Sequence, residues 1–490
     1  MTSSDETKKL NVNEKLILIV IILIAFLLRI YKLDYKSIWL DEGLSVWIAS
    51  HSNFIQLLNE TSFSRQNPLF GIILHFWIST FGKSEFFIRL PNVVFSLGIV
   101  YMAFRIGALL YSNQVGILSS LLLAISVFHI NHAQEARPYT LSSLLALISV
   151  YFYIKLIKES NFKYKAGYLV STTFLVYNHM IGFFIIIAQN IYLLILKLTR
   201  DKIPGINLKS WIKLQLLILV IFLPWIIKLY KYVNPSLLKI RPLAGGIPDP
   251  SLMTVMDTFI YCFSGSLILV FIFIALIVWN LSSRNKRSLF LLLFFLTPLL
   301  AMYIISKLYR PIYLDRYNLI NSSFFYILIA VGLAAINKYF RALIISSIII
   351  LSLLNIRTYH INSFPFTYRE TNWREAVKVI DNNATNSDLL IFDAWYNKRY
   401  LFDYYSKRHD LTIKYFQYEP PRVMHLISIP ELEPYFKKHR RVWLITFHPK
   451  DKERLIENRL KETYKINNEW KYNGNDPFDK LDIKLFEAKV

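Results

Sequence analysis

The chain has 490 residues, 54% of them apolar, and a formal net charge of +23. Its mean hydropathy is +0.37, and soluble domains run at about 45–50% apolar, so a purely soluble globular protein is excluded. The charge does not argue for nucleic acid, because most of the Lys and Arg falls in short connections between apolar runs and in the C-terminal part. In such connections it sets membrane orientation, and near lipid it favours anionic headgroups or lipid phosphates.

Cys262 is the only cysteine, so no intrachain disulfide forms. Residues 1–15 are polar, and the apolar run after them lacks a small-residue cleavage site. A retained first helix is expected instead of a removed signal peptide.

Apolar runs at 16–31, 90–110, 115–130, 139–157, 166–177, 181–198, 214–230, 259–281, 288–306, 319–336 and 342–356 read as spans. Pro68–Phe81 is short for a span. Whether it crosses sets the side of everything after it. If it does not cross and the N-terminus (Lys8, Lys9, Lys15) is cytoplasmic, the inside connections hold Lys155/Lys158/Lys163/Lys165, Lys197/Arg200/Lys202/Lys209/Lys213, Arg284/Lys286/Arg287 and Lys338/Arg341. If it does cross, these dense clusters face outward, against the positive-inside rule. Pro68–Phe81 is therefore expected to be interfacial or re-entrant. The expected fold is mainly α and polytopic, with about eleven spans. The membrane domain covers 1–360, with a first external loop at 34–89 and a second at 131–138. Asp41, Glu42, Glu135, Arg137, His179, Arg310 and Arg316 then share the extracytoplasmic face.

From residue 368 the composition turns soluble. Helix patterns at 373–382, 396–407 and 450–462 alternate with strand patterns at 388–392, 441–447 and 480–486. This predicts a small extracytoplasmic α/β domain over 368–490. Pro420-Pro421 marks a loop within it. Neither an internal repeat nor a glycine-rich nucleotide loop is present in the sequence.

Two polar clusters interrupt the apolar pattern. Ser37-Ile-Trp-Leu-Asp-Glu-Gly-Leu-Ser45 follows the first span, and His132-Ala-Gln-Glu-Ala-Arg-Pro-Tyr139 lies between two spans. A carboxylate at a membrane boundary is costly unless it is solvated or has a task. Asp41 and Glu42 are candidate general bases. Arg316, in Tyr313-Leu-Asp-Arg-Tyr317, sits at headgroup depth before a span, and Arg137 and Arg310 are further cations. Arginine binds phosphate through a planar fork and keeps its charge. Carboxylates with arginines at an outer membrane surface suit transfer of a sugar from a lipid phosphate to a hydroxyl. Each residue also has a structural role open to it. Arg316 can anchor a helix end, Arg137 can pair with Glu135, and His75 and His179 can serve in packing or hydrogen bonding. No metal-ligand spacing is present.

Leu33-Asp-Tyr-Lys-Ser-Ile-Trp-Leu-Asp-Glu42, Asn67-Pro-Leu before an apolar helix, Arg89-Leu-Pro91 and Gln134-Glu-Ala-Arg-Pro-Tyr139 carry a family likeness. Together they resemble the GT-C membrane glycosyltransferases, in the branch of the dolichyl-phosphate-mannose protein mannosyltransferases and the lipid A aminoarabinose transferase. Trp373-Arg-Glu-Ala is similar to the start of the external domain appended in bacterial and archaeal members.

The resemblance implies Asp41 as the first-loop catalytic aspartate and Glu42 as its acidic partner. It implies Glu135 as the second-loop acid and Arg316, with Tyr317, as a late motif near lipid phosphate. Asn67, Arg137, Tyr139, His179 and Arg310 are the further substrate-binding candidates. The expected partners are a polyprenyl-phosphate sugar donor, an extracytoplasmic acceptor hydroxyl and the bilayer of the plasma (inner) membrane, with no nucleic acid. Transfer inverts the anomeric carbon. A divalent metal is required in some branches and not in others, and none is assigned here. One departure stands out: aminoarabinose transferases have Lys-Pro-Pro before the interfacial helix, and this chain has Gln66-Asn67-Pro68. The rival from another class is a transporter or flippase of a lipid-linked sugar or charged lipid, which predicts midplane charges, broken helices and internal symmetry. A non-catalytic membrane scaffold is a third reading.

Overall fold

The structure is a computed structural model that describes residues 9–201, 203–231, 247–282, 286–362, 371–392, 397–415, 429–447, 453–473 and 480–489. Lys8, Lys202, Arg284 and Pro420-Pro421 lie outside the described residues. The chain divides into two compact units, one of residues 1–33 and 48–364, the other of 34–47 and 365–490.

The first unit is helical. α1 (Val12–Ile30) starts at a capping box, in which Asn11 Oδ1 accepts the Glu14 N–H at 2.8 Å and Glu14 Oε2 accepts the Asn11 N–H at 3.0 Å. α2 (Leu40–Ala49), whose residues up to Trp47 belong to the second unit, then α3 (Phe54–Phe63) and α4 (Pro68–Phe81) occupy the stretch read as one long loop. Pro68 opens α4 at a position where its missing N–H costs nothing. Then follow α5 (Glu85–Leu110), α6 (Asn113–Ala124), α7 (Val127–Ala133), α8 (Tyr139–Lys158), α9 (Phe162–Asn178), α10 (Gly182–Leu198) and α11 (Leu208–Tyr230). After these come α12 (Leu252–Asp257), a π-helical turn (Thr258–Ser264), α13 (Leu267–Ser282), α14 (Lys286–Leu308), a 3-10 turn (Asp315–Asn318), α15 (Leu319–Ala335) and α16 (Lys338–Asn362).

A helix overlies every apolar run expected to span. Among the described residues six helices are long and apolar enough to cross a membrane, or eight if two bent pairs each count once. α9 and α10 are only 17 residues each, and α1 carries Glu14, Lys15 and Arg29. The run at 115–130 is broken between α6 and α7, which bend by 63°. Ser126 makes the break, its Oγ accepting the His129 N–H to cap α7. The carbonyls freed at the end of α6 are taken by Arg29, which is fully buried. Its guanidinium donates to Leu123 O and Ala124 O at 2.9 Å each, to Ala25 O at 3.0 Å and to Ser96 Oγ at 2.7 Å. α5 and α6 approach closely at two glycines, because a Cβ on Gly116 would lie 2.6 Å from Phe104 O.

The second unit carries a five-stranded sheet in the order β2-β1-β3-β5-β4. Its strands are β1 (Leu389–Phe392), β2 (Thr412–Tyr415), β3 (Arg441–Phe447), β4 (Tyr464–Asn473) and β5 (Lys480–Ala488). β1 runs parallel to β2 and β3, while β5 runs antiparallel to β3 and β4. Its helices are α17 (Trp373–Asn383), α18 (Asp403–Tyr405), α19 (Ile429–Phe436) and α20 (Glu453–Thr463), and a π turn (Lys398–Phe402) precedes α18. One sheet face packs Leu389, Ile391, Val442, Leu444 and Phe486 under Leu432, Ile456 and Leu460 of α19 and α20. The unit is the expected small α/β domain, and residues 34–47 pack as part of it.

Candidate active site

Three connections of the helical unit meet around Tyr139. The α7–α8 connection brings Arg137, the α9–α10 connection brings His179, and the 3-10 turn before α15 brings Arg316 and Tyr317. The Arg137 guanidinium lies 5.6 Å from the Tyr139 ring centroid and that of Arg316 lies 5.7 Å from it. Arg316 is also 5.8 Å from the Tyr317 ring. All three distances fit cation–π attraction. The His179 ring is 5.0 Å from Tyr317 and 5.8 Å from Tyr139, and Tyr139 is 5.7 Å from Tyr317. Two arginines are thus held near each other by aromatic faces.

Each arm is fixed by local chemistry. Asn92 of α5 donates its amide to the carbonyls of Glu135 and Arg137, the latter at 2.7 Å. Gln134 donates to Arg29 O at 3.0 Å and Tyr31 O at 2.9 Å, and accepts from Tyr359 Oη at 2.9 Å. Asn178 is buried and donates to Pro138 O at 2.8 Å and Ser142 Oγ at 2.7 Å, which locks the α9–α10 connection to α8. Ser306 Oγ accepts the N–H groups of Ile312 and Tyr313 at 2.9 Å each, and Tyr313 Oη meets Thr258 Oγ1 at 2.9 Å.

His179 Nδ1 accepts the Ile181 N–H at 3.3 Å. Burial, then Arg137 and Arg316, push its pKa down to about 3. Its ring is therefore neutral at ordinary pH, with the proton on Nε2.

Glu135 sits beside this cluster in sequence. Its Oε2 meets His132 Nδ1 at 3.2 Å and its Oε1 accepts from Asn131 at 3.3 Å. Asn67 is buried at the start of α4 and donates to Val176 O, two residues before Asn178. Arg310 follows α14, its backbone N–H on Ile305 O at 3.0 Å, and it is not in the ring of contacts around Tyr139 among the described residues.

Asp41 and Glu42 belong to the other unit. Both lie in the first turn of α2, where negative charge suits the helix dipole. Glu42 is fully buried and its Oε2 accepts the Trp39 N–H at 3.4 Å, the N3 half of a capping box. Asp41 is half-buried, and its carbonyl accepts Ser45 Oγ at 2.9 Å. The start of α2 is held from the C-terminal residues. The Ile38 N–H donates to Tyr405 Oη at 2.7 Å, and Arg374 donates to Asp34 O at 2.6 Å. The Arg399 guanidinium lies 4.1 Å from the Trp47 ring.

Sequence reasoning did not mark Arg29 or Asn92, and it gave no individual role to Asn178 or, within their motif, to His132 and Gln134. A charged residue inside an apolar run, as Arg29 is, was the available signal. Among the described residues no three His, Cys, Asp or Glu side chains gather as a metal site.

Residues 65–227 match the family described as dolichyl-phosphate-mannose-protein mannosyltransferase. No curated protein matches the chain in sequence. Among solved structures, ArnT from Cupriavidus metallidurans in the apo state aligns with a TM-score of 0.63 at 11% identity, over 95% of this chain and 97% of that one. The same protein bound to undecaprenyl phosphate aligns at 0.61 and 12% identity, with the same coverage. The Archaeoglobus fulgidus oligosaccharyltransferase AglB, in complex with an inhibitory peptide and a dolichol-phosphate, aligns at 0.54 and 10% identity, over 88% of this chain and 69% of that one. At these identities the structural likeness establishes the fold alone: the chain shares the fold of ArnT and of AglB.

Proposed function

We propose that this GT-C-fold chain is a glycosyltransferase that moves a monosaccharide from a polyprenyl phosphate to an acceptor hydroxyl outside the cytoplasm. The observation that carries the reading is the pair of arginines at the Tyr139 ring, brought there by two different connections of a membrane helix bundle. The fold supports it, since structures of the same fold hold such lipids: ArnT is bound to undecaprenyl phosphate and AglB is in complex with a dolichol-phosphate.

In this reading Arg137 and Arg316 bind the lipid phosphate, with Tyr139, Tyr317 and His179 as the walls of that site. Asp41 takes the proton of the acceptor hydroxyl. The hydroxyl oxygen forms the new bond to the anomeric carbon, the sugar–phosphate C–O bond breaks, and its electron pair leaves with the lipid phosphate. Configuration inverts in one displacement. Negative charge grows on the departing phosphate, and fixed guanidinium groups stabilise it most at that point. Glu135 is proposed to orient His132 and the second loop, Asn67 to set α4 against α9, and Arg310 to act as a more distant cation.

Incubation of the purified protein with a panel of polyprenyl-phosphate sugars and acceptors tests the reading. Free polyprenyl phosphate should appear with at least one donor. A flippase would instead move the labelled lipid across a proteoliposome bilayer with its sugar intact.

A further inference from the structure

We propose that His179 serves the lipid-phosphate site as a neutral Nε2–H donor whose charge does not change between pH 5 and 8, leaving Arg137 and Arg316 as the cations of the site. The inference rests on the proposed function, since it takes the cluster to hold a lipid phosphate.

Geometry fixes the ring's protonation. His179 Nδ1 is occupied as an acceptor by the Ile181 N–H. A neutral imidazole has one donor and one acceptor nitrogen, so Nε2 carries the hydrogen. A second proton would have to enter at Nδ1 and break that bond. The groups facing the ring oppose it as well. They are Arg137 from the α7–α8 connection, Tyr139 from α8, and Arg316 and Tyr317 from the 3-10 turn. The nearest acid in that turn, Asp315, accepts the Arg316 backbone N–H at 2.7 Å. Glu135 is engaged by His132 and Asn131. A depressed pKa, caused first by burial and then by the two arginines, agrees with this geometry.

Charge counting says what a neutral donor achieves. A lipid-linked sugar phosphodiester carries one negative charge. The released monoester approaches two above its second pKa of about 6. Two fixed guanidinium charges match the developing leaving group better than they match the donor. A third cation would hold the product dianion more tightly and slow its release. A neutral N–H adds a directed bond to a phosphate oxygen without adding charge.

The test uses the full-length protein in detergent with farnesyl phosphate as probe. Nitrogen-15 NMR of labelled histidines, assigned by difference against His179→Gln, should show the neutral Nε2–H pattern for His179 from pH 8 to pH 5. A midpoint between those values overturns the proposal. Farnesyl phosphate affinity should fall about tenfold in His179→Ala, the size expected for one hydrogen bond to a charged group. His179→Gln, whose amide N–H replaces Nε2–H, should recover most of it. Equal losses in the two variants overturn the proposal. Failure of the unsubstituted protein to bind farnesyl phosphate, with His179 neutral by NMR, sinks the lipid-phosphate reading itself and the proposal with it.

Discussion

The backbone N–H of Ile38 donates to the phenol oxygen of Tyr405 at 2.7 Å, joining residues 367 positions apart. Ser37 Oγ shares the same phenol at 3.0 Å. Two residues before α2, the chain is thus tied to the C-terminal part of the sequence. Gly43 completes the contact, because a Cβ there would lie 2.5 Å from Tyr400 O. Backbone cannot yield as a side-chain tip can.

Gly43→Ala is therefore expected to push α2 off the 397–405 segment and to be the more damaging change. Tyr405→Phe removes hydrogen bonds worth about 0.5–1.5 kcal/mol each. Hydrogen exchange over residues 34–47 reads both. Exchange should rise in Tyr405→Phe and rise further in Gly43→Ala. If Gly43→Ala leaves exchange unchanged, the close approach to Tyr400 is not what orders this segment.

The Tyr139 ring faces both guanidinium groups, so Arg316 and Tyr139 should differ in what their loss does. Arg316→Ala removes a proposed charge-assisted phosphate contact. Binding of polyprenyl phosphate should weaken about 10–100-fold, corresponding to about 1.5–3 kcal/mol. Tyr139→Leu keeps both charges and removes only the face that holds them, worth about 0.5–2 kcal/mol per cation. That energy is lost from the protein's own stability. Because both charges stay available to the phosphate, a smaller loss of binding is expected there, with a steeper dependence on salt as the arginines become better solvated. Calorimetric titration at two ionic strengths separates the cases.

His179 also links folding to pH. Unfolded, the imidazole titrates near pH 6.5; folded, it does so at about 3. Between these values the unfolded chain binds a proton that the folded chain refuses, so stability is full above about pH 6.5 and falls as pH drops toward 3. His179→Gln cannot titrate and lacks this loss. The difference in thermal unfolding between the two proteins should be near constant from pH 8 to 7. By pH 4.5 it should shift in favour of the variant by about 1–2 kcal/mol, a figure already reduced for partial exposure. A pH-independent difference would show that His179 protonates freely in the folded protein.

Local features were legible in the sequence and long-range ones were not. The apolar runs marked the membrane helices because their period and length need only neighbouring residues. Residues 441–447 read as a strand, and β3 spans Arg441–Phe447. β4 was missed because Tyr464–Asn473 is an edge strand rich in Asn and Lys, and it lacks a clean apolar alternation. The break inside 115–130 was missed although Ser126, a cap residue within an apolar run, marked it. The arginine–tyrosine cluster was present only as separate motifs. Asn92 and Asn178 bring those motifs together through carbonyls that no pattern identifies. The tie between Ile38 and Tyr405 has no local signal at all.

Asp41 and Glu42 are adjacent, yet the fold treats them differently. Glu42 is fully buried and accepts the N–H of Trp39 at the start of its own helix. A carboxylate spent on capping is poorly placed to receive an acceptor's proton. Asp41, one position earlier, keeps partial exposure. Asp41→Asn preserves shape and removes the base, so turnover should fall about 10²–10⁴-fold, while affinity for the lipid donor largely persists. Glu42→Gln retains a carbonyl acceptor for the Trp39 N–H but loses the charge at the helix start. Its main expected effect is on stability, by about 0.3–1 kcal/mol, with turnover reduced far less than in Asp41→Asn. Release of polyprenyl phosphate and thermal unfolding, measured on both variants, decide the matter. Near-normal turnover in Asp41→Asn with Glu42→Gln inactive yet folded would move the base to Glu42. Normal turnover in both would remove acid–base chemistry from the first turn of α2.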